Sequence, residues 1–136
     1  MTHPSSAEIA ARIEDLYGAP LADLEAHAQD KPPGMLAALL GMHHSLAVAE
    51  RSIAVQRDRL AQLVHPDRQI GTHQVSHVLD CARRLAEAVA VRDVQTKTVC
   101  AVLKSLGRVS SPQSSPAPVP AVPSPAVAAA SAAPIR

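Results

Sequence analysis

Aromatic residues are almost missing from this sequence, which has one tyrosine and neither phenylalanine nor tryptophan among 136 residues. Proteins that stack bases or sugar rings on aromatic side chains are therefore disfavoured. Two cysteines are too few for a disulfide scaffold. The formal net charge of +1 disfavours a nucleic-acid binder that depends on strong electrostatic attraction.

Long hydrophobic runs are missing as well. No run of apolar residues reaches the roughly 18 that a transmembrane helix requires, and the N-terminus has neither the basic nor the apolar region of a secretory signal. We therefore expect no membrane association. Two unpaired thiols are typical of a reducing compartment, so we expect a cytoplasmic protein. Ten arginines against three lysines, with abundant Ala, Val and Pro, are typical of a bacterial genome rich in G and C.

Proline is concentrated at the C-terminus, where seven of the twelve prolines lie between Pro112 and Pro134. Residues 109–136 carry no charge before Arg136 and show no helical periodicity. We predict that 109–136 is a disordered tail rich in Pro, Ala and Ser. The remaining residues are enough for one all-α domain.

Residues 1–34 predict two short acidic helices. Ser5 and Glu8 have the spacing of a capping box, and Gly18 lies where a helix-ending glycine is common. A second helix follows Pro20. The segment has six acidic and two basic side chains, whereas the second long helix described below is basic. We predict that these helices pack on the hairpin described below; either they pack on its basic helix, or the basic helix meets an outside partner.

Residues 35–108 predict a long antiparallel helical hairpin of the coiled-coil type. Two segments, about 33–64 and 72–107, repeat apolar residues at alternating steps of three and four. A proline and a glycine lie between them, so the chain reverses direction there. Helices joined by so short a link pack against each other.

The repeat also predicts which residues form the seam between the two helices. Thr72 is the predicted N-cap of the second helix, and Gly107 is its predicted end. If the turn is centred near Arg68, the numbers of facing residues add up to about 138. The predicted helix–helix interface consists of Leu39, Met42, Leu46, Ile53, Leu60, Leu63, Val75, Val78, Leu85, Val89, Val99 and Leu103.

Arg92 and Thr96 occupy seam positions opposite Leu46 and Met42. A polar layer in a seam costs stability but can determine the register or the number of helices. In the alternative interpretation, Arg92 only extends its charged end to the solvent along its aliphatic stem.

Further apolar residues lie off the seam, and a two-helix hairpin cannot bury all of them. They are Met35, Leu36, Leu40, Val48, Val64, Leu79, Val91, Val94 and Val102. The N-terminal helices can cover some of these side chains. The remainder predict self-association, most simply a twofold homodimer that forms a four-helix bundle.

The predicted turn also brings together residue types that bind metals. His73, His77 and Cys81 follow one another at intervals of four, and His65 lies across the turn with Asp67. Imidazole, thiolate and carboxylate groups are zinc ligands, which makes His65, His73, His77 and Cys81 weak candidates for a metal site. Solvated histidines and a half-buried cysteine explain the same residues, and we assign no metal or cofactor.

A nucleic-acid interaction is the second alternative. Five arginines near the middle of the hairpin could contact phosphates, namely Arg51, Arg57, Arg59, Arg83 and Arg84. No known DNA-binding motif accompanies them. No nucleophile motif, phosphate-binding loop or dinucleotide fingerprint is present either, so we predict no enzyme.

The sequence therefore predicts a non-catalytic interaction or adaptor protein that acts through helix–helix contacts. Its expected partners are a second copy of itself and an unidentified protein. The alternatives are a small DNA-associated accessory protein that uses the arginines, and a metal-binding protein at the hairpin turn.

Overall fold

The computed structural model describes residues 2–110 and confirms the all-α fold class. It contains four helices, α1 (Ser6–Tyr17), α2 (Leu21–Gln29), α3 (Met35–Leu63) and α4 (Thr72–Ser110), and no strand within the described residues. Helices α3 and α4 form the hairpin, and α1 contacts both of them. At 1.5 Å per residue, α3 is about 44 Å long and α4 about 58 Å. Apart from its first two residues, the predicted tail 109–136 lies outside the described part of the chain.

Local signals determine where α1 begins and ends. The Ser5 hydroxyl accepts a hydrogen bond from the Glu8 amide at 3.2 Å, and the Glu8 carboxylate accepts one from the Ser5 amide at 2.6 Å. This is the predicted capping box. Gly18 follows α1 with φ of 70°, a left-handed conformation that glycine adopts without steric cost. The chain therefore turns sharply there into α2.

The bounds of α4 differ from the prediction at both ends. The Gly71 carbonyl accepts the first helical hydrogen bond, from the Val75 amide, so Gly71 has the N-cap position and Thr72 is already helical. The Gln74 side chain accepts a hydrogen bond from the Gly71 amide at 3.0 Å. The amide of the N-cap residue therefore has a partner, although no hydroxyl caps this helix. Gly107 does not end the helix, which continues to Ser110. A helical glycine costs only about 1 kcal/mol relative to alanine, which the packing of Leu103 on the core can offset.

The hydrophobic core lies at the open end of the hairpin, where α1 and α2 pack on α3 and α4. Its buried members are Ile9, Ile13, Leu24, Leu39, Leu40, Leu46, Val99 and Leu103. Towards the turn the described structure has two helices only, and most seam side chains there are half-buried. The N-terminal helices thus cover one half of the hairpin and leave the other half open.

The seam in α3 follows the predicted pattern, but the seam in α4 drifts near the turn. The apolar repeat places Ala82 in the seam and Cys81 beside it, but Cys81 and Ala88 are buried, while Ala82 is exposed. Val75 was predicted to lie in the interface, but it is 45% exposed, so this prediction is wrong. An α-helix has 3.6 residues per turn, so a strict 3.5-residue repeat drifts by about 20° per heptad. Over the 39 residues of α4 this drift amounts to about one residue position.

The polar layer in the seam separates into two different environments. Two nitrogens of the Arg92 guanidinium lie 3.0 Å from the Asp93 carboxylate, which is 45% exposed. Arg92 therefore extends towards the surface, as the alternative interpretation has it. Thr96 stays in the seam, 4% exposed, and its hydroxyl has no hydrogen-bond partner in the described structure.

Candidate interaction surface

Polar contacts, chiefly with a half-buried carboxylate, place α1 on one side of the hairpin. The Glu50 carboxylate of α3 accepts hydrogen bonds from the Ser6 amide, at 2.7 Å, and from the Ser6 hydroxyl. Negative charge is favourable at a helix N-terminus, because the first amides of a helix have no partner within it. Towards α4, Arg12 Nη1 lies 3.8 Å from Cys100 Sγ. These contacts fix α1 across the groove between α3 and α4.

A second carboxylate joins the two N-terminal helices. Glu14 Oε2 accepts a hydrogen bond from the Leu21 amide at 3.0 Å, so a side chain of α1 caps the start of α2. Leu36, Leu40 and Val102, which lie off the predicted seam, are packed into or against the core at this end. As predicted, the N-terminal helices cover part of the off-seam apolar surface.

The opposite side of the hairpin is uncovered in the described structure. Val48 precedes Glu50 by two residues and therefore points about 200° away around α3. On this side four valines are exposed: Val48 by 44%, Val55 by 57%, Val91 by 44% and Val94 by 62%. We call these four residues the valine face. They lie on both helices, and two of them, Val48 and Val91, line one groove between α3 and α4.

A groove of about 540 Å³ separates Val48 from Val91. Its floor includes Ala49 and Ala88, which are both buried, and Arg84 and Glu87 also line it. Small residues at the floor allow another helix to approach closely. The sequence placed Val48, Val91 and Val94 off the seam, but which off-seam residues stay uncovered, and the groove, depend on how the helices pack and could not be predicted.

A further cavity of about 580 Å³ lies where α1, α2 and α3 meet, lined in part by Tyr17, Leu24, His27 and Met35. Sequence reasoning singled out no function for these residues. The cavity lies beside the N-terminal helices and is separate from the valine face.

The five candidate arginines do not form one basic face. Arg83 contacts Asp80 at 2.9 Å and Glu87 at 2.7 Å, and Arg84 contacts Asp80 at 3.1 Å. Arg57 and Arg59 are two residues apart and point about 200° away from each other around α3. Arg51 is exposed and follows Glu50, which faces α1. Sequence reasoning missed these three ion pairs, although the spacing of Asp80 and Glu87, three or four positions from the arginines, could have indicated them.

These ion pairs affect the ionisation of their members. The hydrogen bond from Arg83 holds the pKa of the Asp80 carboxyl below its ordinary value, and the charge of Arg84 adds to this effect. In turn, the hydrogen bond to Asp80 and the charge of Glu87 raise the pKa of Arg83. Because the groups are exposed, pairs of this kind contribute little to stability, but they compete with phosphates for the arginines.

The four candidate metal ligands are only partly brought together. His73 Nε2 and His77 Nε2 lie 3.2 Å apart. Cys81 is buried and directs its thiol to the backbone and side-chain oxygens of Gln56, both at 3.2 Å. His65 Nδ1 accepts a hydrogen bond from the Asp67 amide at 3.2 Å. Among residues 2–110, no three His, Cys, Asp or Glu side chains are arranged to hold one ion.

Within residues 2–110, no helix combines the length and the apolar character needed to cross a membrane. We compared the chain with protein-family models, with curated proteins and with solved structures, and none of the three comparisons finds a match.

Proposed function

We propose that this protein is a non-catalytic helical interaction protein that pairs with a second copy of itself through the valine face. The single observation that carries the proposal is the uncovered valine face, with a groove between Val48 and Val91, opposite the side that α1 covers. In a twofold dimer the same surface serves both copies. Two paired hairpins then form a four-helix bundle.

The size of the valine face indicates the strength of this association. Full burial of one valine side chain is worth about 1.5–3 kcal/mol. Each of these valines is about half exposed, so its burial in a dimer would gain about half of this free energy. Burial of four valines from each copy is therefore worth on the order of 8 kcal/mol before costs. Loss of translational and rotational freedom costs about 4–15 kcal/mol. We therefore expect a dimer that dissociates on dilution rather than a permanent one.

The adaptor function that we propose uses the same chemistry. A partner helix with small and apolar residues at intervals of three and four fits a groove between two helices. Since Arg84 and Glu87 line the groove, such a helix would carry polar residues of either charge beside its apolar stripe. Self-association and binding of a partner at this groove would then compete.

Replacement of Val91 by aspartate tests the proposal. A charge in the middle of the valine face should prevent association without unfolding the protein, because Val91 is already 44% exposed. The matched control is Val109→Asp, which changes an 83% exposed valine at the end of α4. Leu40→Asp is not a suitable variant, since Leu40 belongs to the core.

Light scattering at several protein concentrations measures the association, and circular dichroism verifies the fold. We expect the mass of the unmodified protein and of Val109→Asp to rise with concentration towards twice 14.2 kDa, and that of Val91→Asp to remain at one chain. A net gain of about 4 kcal/mol corresponds to a Kd of about 1 mM, so a single-chain mass for the unmodified protein at about 1 mM would contradict self-association. A dimer that persists in Val91→Asp would place the interface elsewhere.

A further inference from the structure

The first turns of α4 bring two imidazole nitrogens into contact at the surface. His73 and His77 are four residues apart, so their side chains lie above one another on the same side of the helix. Their Nε2 atoms are 3.2 Å apart, and the ring planes are nearly perpendicular, at 86°. Both residues are exposed to solvent. An ion in solution therefore has direct access to the two nitrogens.

This separation fits two ligands of one metal ion. In a tetrahedral zinc site the nitrogen ligands lie about 2.0–2.1 Å from the ion, which places two of them about 3.3–3.4 Å from each other. The Nε2 atoms of His73 and His77 are already close to this distance, and the exposed rings need only turn so that both lone pairs face one ion. We propose that His73 and His77 form a two-ligand surface site for a divalent transition metal ion of the class that prefers imidazole, with Zn²⁺ as a member of that class.

The surroundings limit the site to these two protein ligands. Asp80 lies on the next turn, but its two oxygens are held by Arg83, at 2.9 Å, and by Arg84, at 3.1 Å. The Cys81 thiol points away, towards Gln56. Water completes the coordination of an ion held in this way. The site is thus an open one, in contrast to the closed four-ligand sites of structural zinc.

Binding requires a defined protonation state of the two rings. Without metal, the Nε2 contact is a hydrogen bond in which one ring donates its N–H to the other. The ion takes the lone pairs of both Nε2 atoms, and each ring then carries its proton on Nδ1. Because the helix holds the two rings together, only folded α4 offers this geometry. Zinc binding should therefore stabilise α4.

Titration of the full-length protein with Zn²⁺ at about pH 7.5, where a free imidazole is largely neutral, tests the proposal. We expect about one ion per chain by calorimetry. Zinc should shift the Nε2 resonances of His73 and His77 in nitrogen-detected imidazole spectra. His73→Ala and His77→Ala should each weaken zinc binding by about tenfold or more. Circular dichroism should show both variants folded, because both side chains are exposed.

The matched control keeps the number of histidines and changes only their spacing. In the variant Val75→His with His77→Ala, the two histidines are two residues apart and point about 200° away from each other. Val75 is exposed, so the substitution is tolerated. We expect zinc binding as weak as in His77→Ala. Unchanged zinc affinity in this control or in the His73→Ala/His77→Ala double variant would overturn the proposal, as would zinc shifts confined to other histidines.

Discussion

The contact between Glu50 and the start of α1 makes a quantitative prediction about stability. Glu50→Ala removes an acceptor for the Ser6 amide, at 2.7 Å, and for the Ser6 hydroxyl. A hydrogen bond to a charged group is worth about 1.5–3 kcal/mol, and a carboxylate at a helix N-terminus adds about 0.3–1 kcal/mol. Glu50 is half-buried rather than buried, so solvent replaces part of this stabilisation. We expect a loss of about 2 kcal/mol in the free energy of unfolding.

The matched control is Glu87→Ala, which removes an exposed carboxylate that forms an ion pair with Arg83 on its own helix. Both substitutions introduce the same helix-favouring residue, so the gain in helix propensity cancels in the comparison. An exposed ion pair is worth about 0.5 kcal/mol or less. The difference between the variants therefore measures the docking of α1 on α3.

Urea denaturation followed by circular dichroism gives the free energy of unfolding for each variant. All proteins are compared at one concentration, because association with a second copy would shift the apparent stability. A loss of about 2 kcal/mol corresponds to a drop in Tm of roughly 10 °C for a domain of this size. If Glu50→Ala lost no more stability than Glu87→Ala, the carboxylate would not hold α1, and our account of the covered side would be wrong.

Two further predictions concern α4. Thr96→Val should increase the free energy of unfolding by about 1 kcal/mol, because it replaces a buried hydroxyl without a partner by a methyl group of similar shape. Thr98→Val, at an exposed position, should change little; urea denaturation compares the two, and a less stable Thr96→Val would show that the hydroxyl is satisfied. Nuclear magnetic resonance should find the pKa of Asp80 below its ordinary value. The small contribution of Asp80 to stability is then present above the ordinary aspartate pKa and lost as the pH falls through the lowered one. Arg83→Gln should move the pKa of Asp80 back upwards, and an unchanged value would contradict the assigned cause.

Features that depend on neighbouring residues could be predicted from the sequence. The capping box of Ser5 and Glu8, the left-handed Gly18 and the chain reversal before α4 involve atoms only a few positions apart, and the structure has all of them. The hairpin register was also predictable, because both helices repeat their apolar residues over many turns. Gln56 contacts Cys81, and these two numbers add up to 137, close to the predicted value of about 138.

Features that depend on how the helices pack could not be predicted in the same way. The repeat placed Ala82 in the seam and Cys81 beside it, whereas the structure buries Cys81. The difference between 3.5 and 3.6 residues per turn is small at each step but accumulates along α4. The same drift explains why Val75 lies outside the interface. Spacing alone also grouped Cys81 with the two histidines, although its thiol faces Gln56.

The sequence by itself determined the all-helical composition, the two ends of α1 and the pairing of α3 with α4, because helix capping and apolar periodicity are properties of neighbouring residues. Only the tertiary structure decided which side of the hairpin is covered. That choice depends on contacts such as the one between Ser6 and Glu50, and α1 shares no apolar repeat with α3 that would have related these two residues. The valine face is exposed as a consequence, since α1 can cover one side of the hairpin and not both.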